Sequence, residues 1–366
     1  MNSDPERFSG ERLPESAHIG IIFCDSIGDF VVALPLMQAI KESYPNSTID
    51  YFGGPHTAEL ESACSLVSER FDLFGEVFRI SDFLNFSDLR RRDSGPYDLV
   101  INLDSSALAA LATAYLRPRY VVGRCVNADG RGDVEQPLFG IDRLHSENWA
   151  DRDLVVRYTG ALRSQHISDI FCAISHFPYP LNPPRPPSAV PAIAIPDILL
   201  GLGATRSAKL WPVQYWKTLI DSITATNLTV GILGACERDQ RRFYNSWITE
   251  NELLSYCRIV DLRGKLTLPE VSGALALAKA CVTIDNGIMH LSIAQETPTV
   301  AIFGGSAWQV WTAESPILRV VLPADACDLC MRNRFRNRGC LLDYHKCMTS
   351  CRPDVVMSAL FQLLGQ

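Results

Sequence analysis

Followed for its hydrophobic and polar positions, the chain alternates short, nearly unbroken apolar runs with longer stretches that are apolar on one side only. Unbroken runs suit strands buried on both faces and one-sided stretches suit covering helices, so the alternation predicts βαβ units with parallel sheets. In the first half, strands are expected at His18–Cys24 (HIGIIFC), Ser47–Phe52, Asp98–Leu103 (DLVINL) and Arg119–Gly123, with a helix at Phe30–Tyr44. In the second, they are expected at Asp197–Gly201, Thr229–Leu233, Arg258–Asp261, Cys281–Ile284 and Thr299–Phe303, with a helix at Val213–Thr224. Between the halves runs FPYPLNPPRPPSAVPAIAIP, residues 177–196, whose eight prolines remove backbone donors and stiffen the chain into an extended connector. The 366 residues exceed what one core usually organises. The expected organisation is a disordered leader (1–17), a first α/β domain (18–176), a proline-rich linker (177–196) and a second α/β domain (197–366), with a cleft between the domains.

Composition narrows the classes. The chain is 47% hydrophobic and 20% charged, as ordinary globular proteins are. Its most apolar stretches are short or carry a charge, as Lys279 does within Leu275–Ile284, so no membrane-spanning segment is expected. The first 17 residues, MNSDPERFSGERLPESA, lack the apolar core of a signal peptide, which points to a cytoplasmic protein. A net charge of −7 argues against broad nucleic-acid binding and leaves an anionic small ligand open, provided cations gather locally. Twelve cysteines in such a chain are expected to be reduced thiols, and Cys172, Cys257 and Cys281, lying in apolar runs, to be small buried side chains.

Four loops at the C-terminal ends of expected strands carry polar residues that a sheet does not need, and that edge is where open parallel sheets bind ligands. In CDSIGDF (24–30), Gly28 permits a tight turn and Asp29 falls where a helix begins, whose dipole favours its ionised form; it is either a general base or an ordinary helix cap. In GLGATRSAKLWP (201–212), glycines, the small polar residues Thr205 and Ser207, and Lys209 suit a phosphate, or else form a plain turn with a solvated lysine. In GILGACERD (231–239), Glu237 suits ribose hydroxyls or is a surface glutamate. In CVTIDNGIMHLSIA (281–294), Asp285 and Asn286 end a strand, Gly287 frees the backbone, and the next helix points its N–H groups back; His290, one turn on, is either a site residue or a packing residue.

Taken in order, these motifs resemble glycosyltransferase family nine, the heptosyltransferases. IIFCDSIGDFVVALPLMQAIKESYP (21–45) resembles the family's strand, Ser-x-Gly-Asp and Leu-Pro helix; GATRSAKLWP (203–212), GACERD (234–239), RGKLTL (263–268) and DNGIMHLSIAQETP (285–298) follow its second-half pattern. The resemblance covers about residues 18–365. It implies an α/β GT-B fold of two Rossmann-like domains, with the acceptor on the first and an ADP-sugar donor on the second, and direct displacement with inversion and no catalytic cofactor. By position it makes Asp29 the general base beside Gly28. Lys209, with Thr205 and Ser207, would hold the diphosphate, and Glu237 the ribose. Lys265 and Leu266 would border the adenine, Asp285 would meet the sugar, and Asn286, Gly287 and His290 would receive the leaving diphosphate.

On the acceptor side no motif stands out; Arg90, Arg91, Arg92, Arg117, Arg119 and Arg124 are the available cations. The acceptor is thus a lipopolysaccharide core, a protein or a small natural product, with peripheral membrane association if it is a lipid. An epimerase acting on nucleotide sugars and a non-catalytic nucleotide-sugar-binding protein share this architecture. Five of the twelve cysteines crowd into CDLCMRNRFRNRGCLLDYHKCMTSC (327–351), where Cys327 and Cys330 at x2 spacing, with Cys340 and Cys347, could hold structural iron or zinc, or be plain free thiols. Cys351 is expected in packing, and because the cluster lies away from the donor motifs along the chain, its role is expected to be structural.

Overall fold

The computed structural model describes residues 3–24, 26–256 and 258–365. It divides into two compact units, Met1–Arg185 and Pro186–Gln366. The first contains six strands: β1 (Glu6–Arg7), β2 (His18–Ile22), β3 (Thr48–Gly53), β4 (Glu69–Asp72), β5 (Leu99–Asn102) and β6 (Tyr120–Gly123). All pair parallel in the order β1-β6-β5-β2-β3-β4. The second contains β7 (Ile198–Gly201), β8 (Val230–Leu233), β9 (Val260–Asp261), β10 (Ala280–Ile284), β11 (Thr299–Ile302) and β12 (Leu318–Val321), parallel in the order β12-β11-β10-β7-β8-β9. Each is a doubly wound sheet of the Rossmann order, and together the two give the expected α/β GT-B fold.

The central strands are buried on both faces, as their unbroken apolar runs require: β2, β5, β7 and β10 have no exposed position. The helix Ile27–Ser43 follows β2 and is itself almost wholly buried, packed against the helix Ile167–Ile174. At the opposite end of the first sheet, Asp50 accepts from His18 Nε2 (2.8 Å), Tyr97 Oη (2.8 Å) and Arg90, whose Nη2 lies 2.9 Å from Oδ1. Burial pushes the Asp50 carboxyl up, but His18 and Arg90 outweigh it and hold it below its ordinary value. Arg90 is therefore committed to the fold and is not one of the acceptor-facing cations.

The expectation of a disordered leader is corrected. β1 pairs with β6 at Glu6↔Tyr120 and Arg7↔Val121, and Phe8 and Leu13 are buried. The Arg7 guanidinium donates to the carbonyls of Gly123, Val134 and Glu135, tying the segment down. The polar composition concealed this, because an edge strand two residues long offers no periodicity to read. In 177–196 no regular element forms; Phe177 stacks on Phe8 at 5.9 Å in the first unit, while Ala189 N donates to Pro269 O (2.8 Å) in the second. Cys257, expected in a buried run, lies outside the described residues.

Phe8 packs against Tyr120, His176 and Phe177 with ring centroids 5.8 to 6.1 Å apart. Phe8→Ala should therefore destabilise the first unit by about 3 kcal/mol, the usual cost of emptying a buried aromatic site. Denaturant unfolding monitored by circular dichroism checks this; a disordered leader would give no change.

Candidate active site

In the second sheet β7 and β10 lie side by side, and in this strand order the connections leaving such a pair part to opposite faces, opening a crevice at their C-terminal ends. Two of the expected loops leave there and meet. Lys209 ends the short turn Ser207–Lys209, and its Nζ stands 2.8 Å from Asp285 Oδ2 and donates to the Asp285 carbonyl at 3.3 Å. Asp285 is buried; burial pushes its carboxyl up, but the charge and hydrogen bond of Lys209, with Ser306 and His290 adding to them, hold it below the ordinary carboxylate value.

Asn286 caps the helix Gly287–Ala294. Its Oδ1 accepts from Met289 N (3.1 Å) and Thr283 Oγ1 (3.0 Å), while its Nδ2 donates to Gly201 O (3.1 Å) and Gly203 O (3.0 Å). The side chain is therefore structural, and the free N–H groups of the helix start remain the chemically useful feature. Gly201 is required by crowding: a Cβ there would stand 2.6 Å from Thr283 Oγ1. His290 is buried, its ring edge-on to Trp311 at 5.8 Å. Burial pushes its imidazole down to about 4, against the pull of Asp285 and with the help of Lys209, so at neutral pH it is uncharged.

The cysteine-rich segment does not stand apart from this edge. Arg206 Nε donates to Asn337 O (2.9 Å), Ala208 N to Arg338 O (3.1 Å), Ser207 Oγ to Arg338 O (3.3 Å), and His345 Nε2 to Ala208 O (2.7 Å). The turn carrying Lys209 is thus strapped to residues 337–345, so the distance of the cluster from this motif along the chain is not a distance in the fold. Among the described residues no group of three or more His, Cys, Asp or Glu side chains is placed to hold a metal, so the four-thiolate site is not assembled in this structure. Cys327, Cys330, Cys340 and Cys347 are free thiols. Burial pushes the Cys347 thiol up to about 11, with Cys327, Cys330 and Cys340 close enough to push the same way. Cys351 is buried in the second unit's core, its Sγ donating to Phe303 O (3.4 Å).

Glu237 opens the helix Glu237–Phe243; it is exposed and pairs with Arg241 Nη2 at 2.6 Å. Lys265 is exposed and Leu266 half-buried. Their loop is joined to the one before Glu237 by Gly264 N donating to Gly234 O (3.0 Å). Gly264 has φ +64, and a Cβ there would stand 2.7 Å from the Cys236 backbone, so the close approach needs glycine. Thr205 is exposed; its carbonyl accepts from Asn245 Nδ2 (2.9 Å).

In the first unit β2 and β5 occupy the equivalent crevice. Asp29 is the third residue of the helix Ile27–Ser43, next to buried Gly28, and Ser26, the capping residue, makes no side-chain cap bond. Asp29 is half-buried, and its Oδ2 accepts from the Cys24 thiol at 2.7 Å. Of the candidate acceptor cations, Arg124 lies just beyond β6 on this edge and is paired with Asp133 at 2.5 Å. The motifs assign no role to Arg206, Asn245, Glu250, Arg263 or His345; Arg206 stands inside GATRSAKLWP, Arg263 opens RGKLTL and His345 lies in the cysteine-rich stretch, while Asn245 and Glu250 lie outside every motif.

Against known proteins, residues 88–338 match the family model for glycosyltransferase family 9 (heptosyltransferase). Lipopolysaccharide heptosyltransferase 1 of Pseudomonas aeruginosa is 24% identical over 295 residues, covering 78% of each chain. The solved ADP-heptose LPS heptosyltransferase II of E. coli superposes with a TM-score of 0.67 at 21% identity, over 95% of this chain and 99% of that one. The iron-containing dodecameric heptosyltransferase TibC of enterotoxigenic E. coli, solved with ADP-D-β-D-heptose, does so at 0.60 and 14% identity, over 97% and 78%.

The buried neutral His290 generates a pH dependence. Its folded value near 4 lies below the ordinary 6.5, so between these the unfolded chain binds the extra proton, and stability falls as pH falls. The loss from this group is at most about 3 kcal/mol. Asp285, held below 3.8, contributes stability that is lost only under more acid conditions, as pH falls through its folded value. Urea unfolding of the wild type should therefore show a fall from pH 7 to 4.5 that His290→Gln reduces, the remainder belonging to His145, which burial pushes down to about 4, and to His345, which burial also lowers.

Proposed function

We propose, for a chain that belongs to glycosyltransferase family 9, the heptosyltransferases, that it moves a heptose or a related sugar from an ADP-sugar to an acceptor hydroxyl with inversion. The observation that carries this reading is the meeting of Lys209 with Asp285 beside the N-terminus of the helix Gly287–Ala294 at the C-terminal edge of the second sheet. That juxtaposition supplies a cation and free backbone N–H groups for a diphosphate, next to a buried acid for sugar hydroxyls. In the proposed step the acceptor oxygen forms a bond to the anomeric carbon as the bond from that carbon to the diphosphate oxygen breaks. Asp29 takes the acceptor proton, and ADP departs with the electron pair.

Charge grows on the diphosphate along this path, so Lys209 and the helix start favour the transition state over the bound donor, which is the condition for acceleration. Lys209, a point charge on a flexible stem, is proposed to turn from Asp285 to the phosphates when the donor binds. Glu237, Lys265 and Leu266 are proposed to bound the adenosine. Arg124 at the edge of the first sheet suits an anionic acceptor. No described helix is long and apolar enough to cross a membrane, so a lipid-borne acceptor would be met at the membrane surface.

The decisive measurement is ADP release from ADP-heptose with and without lipopolysaccharide-core, protein and small-molecule acceptors. A transferase releases ADP in step with acceptor, an epimerase-like enzyme changes the donor without one, and a binding protein does neither. Asp29→Asn should retain ADP affinity while lowering kcat by about 10²–10⁴, the usual worth of a general base. Lys209→Ala should weaken ADP binding as well as turnover. Wild-type turnover by Asp29→Asn would remove that residue from the mechanism.

A second reading concerns the thiols. Four of them influence one another around Cys347, and four thiolates are a donor set for iron or zinc. The stretch between Met331 and Gly339 is rich in Arg and Asn, so metal binding would stabilise a segment with little core of its own. Closing the site requires the thiols to move together. Elemental analysis of anaerobically purified protein should find about one iron or zinc per chain, and Cys330→Ser should lose it together with thermal stability. A metal-free protein would leave the thiols as packing.

A further inference from the structure

The second unit also contains a buried polar network, of which only Arg263 belongs to a motif, and its position is unexpected for a purely structural feature. Glu250 lies on the helix Trp247–Tyr256 with no exposure. Its Oε1 accepts from Gln240 Nε2 (2.6 Å) and Ser246 Oγ (2.7 Å), and its Oε2 from Arg263 Nη1 (3.1 Å). Arg263 is bonded further to Asp261 Oδ1 (2.9 Å) and Asn251 Oδ1 (3.2 Å), with its guanidinium over the Trp247 ring. The outer ends of the network all reach the ligand edge of the sheet. Gln240 Oε1 accepts from Ala235 N (3.1 Å), and the Arg263 side chain packs against Gly234. Arg263 begins the Arg263–Gly264–Lys265 turn, and Asn245, next to Ser246, donates to the Ala204 and Thr205 carbonyls. Three loops that leave three different strands are thereby fixed to one carboxylate.

Burying such a charge pair costs desolvation that well-packed apolar side chains would avoid, so its stability value alone is small. What it supplies is a fixed spacing between loops that it joins by hydrogen bonds. We infer that Glu250 and Arg263, with Gln240 and Ser246, form a positioning element that sets the loops of Glu237 and Lys265 at the separation an adenosine requires. This rests on the donor-binding reading above.

Calorimetry with ADP and, separately, inorganic pyrophosphate on the full chain tests it. Glu250→Gln keeps shape and removes the charge that Arg263 needs. It should weaken ADP by about tenfold, as expected when a buried partner is left unsatisfied, while pyrophosphate, which makes no adenosine contact, changes by less than about twofold. Donor KM should rise in parallel with kcat nearly unchanged. Arg263→Met should have the same effect, and the double variant should be no worse than either, because the two act as a unit. Ser246→Ala, which removes one bond only, gives a smaller ADP loss and decides the matter if Glu250→Gln does not fold. Unchanged ADP affinity in folded variants, or equal losses for ADP and pyrophosphate, overturns the inference. A wild type that binds pyrophosphate but not ADP overturns the donor reading, and this inference with it.

Discussion

One side-chain amide governs the second unit's ligand edge. Asn286 uses both of its N–H groups and its oxygen: it joins the carbonyls that end β7 to the first turn of the helix that follows β10. An amide can do this because it carries donors and an acceptor on one rigid plane. Its neighbour Asp285 is consequently held with its carboxyl at Lys209, and Lys209 in turn is fixed through Ala208 to the cysteine-rich segment. Loss of the amide would orphan backbone groups on two loops at once, and the acid, the cation and the helix start would lose their common frame.

The two units reach the same strand order by different routes. In both, the strand that begins the unit's series sits at the centre and the chain winds outward first to one side and then to the other. The sixth place is filled from opposite ends of the unit. In the second sheet it goes to β12, which follows β11 in sequence; in the first it goes to β1, which precedes β2 in sequence. The crevice between the two central strands is the same in each, which explains why Asp29 and Lys209 occur at corresponding places after β2 and β7.

What the sequence disclosed and what it withheld divide along a physical line. Strands buried on both faces, such as β2, β5 and β10, announce themselves because all but one position in each is apolar or glycine, and the motifs after them are local in sequence, so Asp29, Lys209 and Asp285 could be picked out directly. β4, with the sequence Glu-Arg-Phe-Asp, and the short β1 lie at edges where a strand need not be apolar. The helix cap Asn286 and the buried state of His290 depend on neighbours that no spacing rule reports. Arg90, on the helix Ile80–Ser94, was misread because its partner Asp50 lies on β3, 40 residues earlier, and Arg206 and His345 were missed because their partners lie more than a hundred residues away.

The pairing of β1 with β6 also orders events in time. Glu6 meets Tyr120, so the contact closes a loop of over a hundred residues, and strand pairings of that separation form slowly. As the chain emerges from the ribosome, β2, β3 and β4 are available to one another well before β6 has been synthesised. β1 has no partner until then, and its buried neighbour Phe8 has no Tyr120 or Phe177 to pack on. The strand of this sheet that is made first is thus the last able to find its place, and until it does the nascent chain presents an unpaired edge and an uncovered aromatic to its surroundings.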